Sequence, residues 1–206
     1  MRRGFTLIEM LVVIGIIAAL MAASIGGYSF ATKSAQTARG RETVSNAATA
    51  LNELFHLQNR WPPRLLTASK GQRQLTAEAA ACLAVNGLMS LSYTKTEKEG
   101  ETIYTLSGLD GCGIVDPWAT DALKHAPSGS SGENVRVPSG GTVKDHILYF
   151  ALDEDGDGIT EANVGGKLLR IRATAVTWSC GLDGVEAPYR KGDDIYSWNL
   201  RQVEDR

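Results

Sequence analysis

The chain has 206 residues and sets 21 Lys and Arg against 23 Asp and Glu, for a formal net charge of −2. No global basic footprint exists for nucleic acid, and no nucleic-acid partner is expected. A hydrophobic content of 43% with 21% charged residues excludes a disordered chain, and the length allows a membrane segment plus one soluble domain.

The chain opens with a basic leader, Met1-Arg2-Arg3-Gly4, followed by an apolar run from Phe5 to Ala23 that contains one acidic residue, Glu9. That run makes about 28 Å of helix, one hydrocarbon thickness. An unpaired carboxylate there costs about 2.5–3.5 kcal/mol or more in hydrocarbon. Once the leader is set aside, nothing basic lies within a helical turn of Glu9, so a partner on another chain is one way to satisfy it. A secretory signal peptide is the competing reading, with Arg2 and Arg3 as its basic start and Ala22-Ala23-Ser24 as its cleavage site. Glu9 and the unbroken helical pattern beyond Ser24 argue against it. Arg2 and Arg3 on one side and Lys33, Arg39 and Arg41 on the other leave the positive-inside rule ambivalent.

No proline precedes Pro62, and Val44, Ala47, Ala48, Leu51, Leu54 and Phe55 recur at steps of three and four, one stripe of an amphipathic helix. The pattern predicts a nearly continuous helix from Phe5 to about Asn59, stopped by Trp61-Pro62-Pro63, with Gly26-Gly27 and Gly40 as its soft points.

Beyond it, residues 64–92 read as helix and loop, with a weak capping signal at Thr76. Strands are predicted at Glu101–Leu106, His146–Leu152 and Leu168–Trp178, the last with Leu169, Ile171, Ala173 and Ala175 on one face. Residues 126–142, rich in Gly, Ser and Pro, read as a surface loop. Packing a short antiparallel sheet on the helix stripe gives an α+β fold. Cysteines occur at 82, 112 and 180. In an oxidising compartment two would pair, Cys82 with Cys112 or Cys112 with Cys180. The three histidines, His56, His125 and His146, lack metal-site spacing and read as surface or packing residues.

Two acidic loops stand out. Asp153-Glu154-Asp155-Gly156-Asp157-Gly158-Ile159-Thr160-Glu161 places carboxylates at positions 1, 3, 5 and 9 and glycine at 6, the front of an EF-hand loop, with Ile159 offering a backbone oxygen. Position 12 is Val164, not the bidentate glutamate. A Ca2+ loop of another kind and a simple acidic hairpin are both open. The second loop runs from Ser179-Cys180-Gly181-Leu182-Asp183-Gly184 to Lys191-Gly192-Asp193-Asp194-Ile195-Tyr196-Ser197-Trp198.

Gly4-Phe5-Thr6-Leu7-Ile8-Glu9, the apolar stretch and the long helix resemble type IV pilins and type II secretion pseudopilins. The second acidic loop and Asp116-Pro117-Trp118 resemble elements of the major pseudopilin. Ala119 stands where that family has glycine, and Val185-Glu186-Ala187-Pro188-Tyr189 replaces its Gly-Gly. The resemblance implies a type IV pilin-like fold, a long N-terminal α-helix whose first half spans the membrane, packed on a small antiparallel β-sheet domain. Its parts would be a leader at 1–4, shorter than the family's usual one, a helix at 5–60 (5–27 transmembrane, 28–60 amphipathic) and a periplasmic domain at 61–206.

The resemblance also implies cleavage after Gly4 by prepilin peptidase and methylation of Phe5. The new amine of Phe5 would then be neutralised by Glu9 of a neighbouring subunit. A Ca2+ ion would be held by Asp183 and Asp193, with Asp194 close behind and backbone carbonyls near Leu182 and Arg190 completing the shell; Asp153, Asp155, Asp157 and Glu161 offer a second site. The implied partners are copies of the chain in a homo-oligomeric filament, minor pseudopilins, the inner-membrane assembly platform and the membrane. The location would be the inner membrane, single-pass, with the C-terminal domain in the periplasm. No Gly-x-Ser-x-Gly, His-Glu-x-x-His or P-loop motif occurs, and no enzyme activity is expected. The leading function is a structural subunit of a type II secretion pseudopilus. Alternatives are a type IV or DNA-uptake pilin, and a periplasmic Ca2+-binding protein on a simple anchor.

Overall fold

The computed structural model describes residues 7–70, 73–98, 101–107, 111–126, 132–189 and 192–204. Helix α1 runs unbroken from Leu7 to Gln58. It ends where Asn59 turns into the left-handed region at φ 50°, with its N–H bonded to the Phe55 carbonyl, ahead of the predicted Trp61-Pro62-Pro63 stop. The chain divides into two compact units, Met1–Ala38 and Arg39–Arg206.

In the first unit α1 is long and apolar enough to cross a membrane, and the side chains of that stretch are exposed, from Leu7 at 83% to Leu20 at 63%.

In the second unit the stripe of α1 behaves oppositely. Val44, Ala47, Ala48, Leu51 and Leu54 are buried and Phe55 packs against the core. Gly40, expected as a soft point, is a close approach instead: a Cβ there would lie 2.7 Å from Ile195 Cδ1. Around this stripe stand α2 (Pro63–Lys70), α3 (Ala77–Val85) and α4 (Pro117–Lys124). Among the described residues the strands form three antiparallel sheets: β1 (Tyr93–Lys98) with β2 (Glu101–Leu106), then β3 (Tyr149–Leu152), β6 (Ala175–Ser179) and β7 (Ile195–Tyr196) in the order β3-β6-β7, and β4 (Thr160–Val164), β5 (Lys167–Ile171) and β8 (Val203–Glu204) in the order β4-β5-β8. The α+β, pilin-like expectation holds.

Strand β6 is the hinge of the packing, because all five of its residues are buried. Ala175 joins Phe150, Leu152 and the helix stripe in the main core, and Val176 and Trp178 join Ala162, Val164, Leu169 and Ile171 in a second one. The Thr177 hydroxyl donates to the Val44 carbonyl at 2.7 Å, tying sheet to helix and satisfying a polar group that burial would otherwise penalise.

Three expectations are corrected. The run Leu168–Trp178 is two strands in different sheets, β5 and β6, parted by a bend near Arg172–Thr174. The strand expected from His146 starts at Tyr149, because Val143–His146 is a 3-10 turn closed by a capping box between Thr142 and Asp145. Thr76 caps α3 without a side-chain bond.

Candidate functional site

Gly4 and Phe5, the expected processing residues, lie outside the described residues. Glu9 is exposed in the first described turn of α1. This turn and the exposed apolar stretch behind it are the first candidate element.

The second is the turn between β3 and β4. Gly156 and Gly158, at φ 78° and 83°, let the chain curl so that their N–H groups donate to the two oxygens of buried Asp153 at 2.7 and 2.9 Å. Asp155 and Asp157, both exposed, each accept an N–H from two residues on, as in Asx turns. Oxygens of Asp153, Asp155 and Asp157 come within 4.8 Å of one another. An all-oxygen set of this kind fits a hard divalent cation. Glu161 is not part of the group: its carboxylate faces Arg170 Nε on β5 at 3.6 Å, and Asp157 meets Arg170 Nη2 at 4.0 Å. The loop is docked on the end of α1 by Trp61, whose indole N–H donates to the Asp153 carbonyl at 2.6 Å.

The loops at 179–184 and 192–198 are arranged differently from the expected ligand set. Among the described residues, Asp183, Asp193 and Asp194 do not form a comparable group. Asp183 accepts from Val185 N–H and Asp193 from Leu182 N–H, each closing a turn. Asp194 Oδ2 accepts from Ala187 N–H and Tyr196 O–H, both at 3.2 Å, while its buried Oδ1 has no hydrogen-bond partner among the described residues. Burial pushes the Asp194 carboxyl up to about 6, with Asp193 and Glu186 adding to the rise against the two bonds. The carbonyl of Arg190 lies outside the described residues.

The expected Cys82–Cys112 bond is not formed, nor is Cys112–Cys180; all three cysteines are free. Cys112 Sγ packs against Gly132, where a Cβ would lie 2.5 Å away, whereas Cys82 faces a cleft lined by Gln58, Arg64 and Tyr104. Burial raises both thiols above their usual range.

One cluster was missed from the sequence. Asp116 caps α4 through Oδ1, accepting from Ala119 N–H at 3.1 Å, with Pro117 behind it in the first turn. Its Oδ2 meets His146 Nδ1 at 2.8 Å and the Ser179 hydroxyl at 3.0 Å. The Asp-Pro start of a helix was a readable capping signal, but its partners lie 30 and 63 positions away in the chain and no local pattern marks them. The serine bonds to the aspartate and not to the imidazole, so this is no nucleophile–base pair.

The prokaryotic N-terminal methylation motif matches residues 1–25. No curated protein and no solved structure matches the chain. The motif and the apolar N-terminal helix fit a membrane-anchored, type IV pilin-like chain.

Proposed function

We propose that this chain is a structural subunit of a type II secretion pseudopilus, cut after Gly4 by prepilin peptidase and polymerised through α1. The observation that carries the reading is the methylation motif over residues 1–25, which overlaps the 7–22 stretch of α1, where the apolar side chains flanking Glu9 are exposed. Such a surface needs hydrocarbon and neighbouring helices to cover it. In a filament, the cationic amine of a processed Phe5 supplies the counter-charge for Glu9 of the adjoining subunit, with minor pseudopilins and the inner-membrane platform as further partners. The work is mechanical, in the periplasm, and calls on no catalytic residue.

A divalent cation, Ca2+ by the hardness of its donor set, is the ligand proposed for Asp153, Asp155 and Asp157. There it would offset the mutual repulsion of three carboxylates. The Asp194 Oδ1 that lacks a hydrogen-bond partner among the described residues favours a second cation less strongly, because Asp183 and Asp193 do not gather with it into one group of carboxylates there.

The choice of secretion over adhesion or DNA uptake rests on Asp116-Pro117-Trp118 and the Asp183…Asp193-Asp194 segment. Cys180 is the sole cysteine of the C-terminal part, so no pair closes a pilin-type loop there. A Glu9→Ala chain should be processed and inserted, yet assemble poorly and lose most exoprotein export. Undiminished export would contradict the proposal, and intact export with lost surface filaments would assign the chain to a pilus.

A further inference from the structure

His146 is 1% exposed, and each ring nitrogen has one partner. Nδ1 lies 2.8 Å from Asp116 Oδ2 and Nε2 lies 3.0 Å from the Gly140 carbonyl. A carbonyl oxygen only accepts. Asp116 accepts as well: its Oδ1 takes the Ala119 N–H, and its Oδ2 takes the Ser179 hydroxyl, which itself receives Gly181 N–H at 3.1 Å. Both imidazole nitrogens therefore face acceptors, and only the doubly protonated ring can donate to both. In a neutral ring one lone pair would point at an oxygen lone pair in a site closed to water, leaving a buried acceptor unsatisfied.

We propose that His146 is a buried imidazolium pin that fastens the start of α4, the 137–141 turn, the end of β6 and the 181–184 turn to one another, and that loss of its proton loosens the two turns. Gly140 and Gly184 are shaped for it. A Cβ at Gly184 would lie 2.8 Å from His146 Nε2, and one at Gly140 would lie 2.7 Å from the Asp183 carbonyl. Both glycines have positive φ, 68° and 156°, so the two turns reach the ring at positions that a side chain would block.

The groups around the ring agree on the sign. From the start of α4 it meets the Asp116 carboxylate, on which the Ser179 hydroxyl at the end of β6 also bonds, and from its own turn Asp145 acts on it; the 181–184 turn packed on the ring carries Asp183, and Lys144 is exposed. The 137–141 turn brings a carbonyl and no ionisable side chain. Burial alone disfavours the charge, but the bond to Asp116, its charge, the Gly140 carbonyl and Asp145 together raise the affinity for the proton above that of a free histidine. A raised folded-state value means that the pin's stabilisation is complete below the unfolded value, about 6.5, and is lost as pH rises through the folded one. The pin is independent of the filament reading and of any cation.

The test uses the full chain in detergent micelles with His56 and His125 changed to Gln. Both are exposed, and their removal leaves His146 as the only histidine of three. Titrating its ring by 15N NMR should give a midpoint shifted to higher pH than in the same chain unfolded in urea; an equal or lower midpoint overturns the proposal. Across that midpoint the amides of Gly140 and Gly181 should lose exchange protection after correction for intrinsic rate, with a parallel fall in Tm. Protection that is constant through the titration overturns the coupling to the turns, whatever the midpoint.

Discussion

The two stretches of α1 share one unbroken backbone and differ in what covers them. Leu20 is 63% exposed and Leu54 is fully buried, although both lie on the same helix between Leu7 and Gln58. The second stretch meets its apolar stripe with Phe150, Leu152 and Ala175 of its own unit. The first is apolar around its circumference, which is the pattern of a helix made for a low-dielectric surrounding. A helix thus tells little about environment; the breadth of its apolar face tells more.

Cutting the chain is the strongest way to break this contrast. A form beginning at Arg39 should stay soluble without detergent and melt within a few degrees of the full chain by circular dichroism. Aggregation of that form would mean that the second unit is not self-sufficient. The contrast sharpens at single residues. Leu54→Ala should cost about 2–5 kcal/mol in denaturant melts, whereas Leu20→Ala should leave the melting of the second unit unchanged. Equal effects would contradict the division. Smaller still is the contribution of the 153–157 turn, where the second unit needs something it does not supply. With Ca2+ at a hundredfold its Kd, the gain is about 2.7 kcal/mol, so excess EGTA should lower Tm and Asp153→Asn should abolish that response. An unchanged Tm in EGTA would remove the cation from the account.

Much of this was readable because it is periodic or local. The stripe Val44–Phe55 and the stop at Trp61-Pro62 are repeats and punctuation, and Glu101–Leu106 alternates; all three stand in the structure. Strand β1, Tyr-Thr-Lys-Thr-Glu-Lys, escaped because it is polar and exposed, held by its pairing with β2 and not by burial. The apolar run from Leu168 to Trp178 hid a break, since composition does not show a change of sheet at Arg172–Thr174. The acidic turn at 153–157 was legible as spacing, yet Glu161 is turned to Arg170, a contact set by the pairing of β4 with β5. His146 read as a packing histidine. It is one, but its two acceptors come from distant segments that only the fold brings together.

The central claim is that the exposed apolar stretch is a processed and retained assembly helix, not a discarded signal. Intact-mass and N-terminal sequencing of the protein purified from membranes of cells that carry a prepilin peptidase tests it most directly. The account predicts a chain beginning at Phe5 with one added methyl group. A chain beginning after Ala23, freed from the membrane, would contradict it.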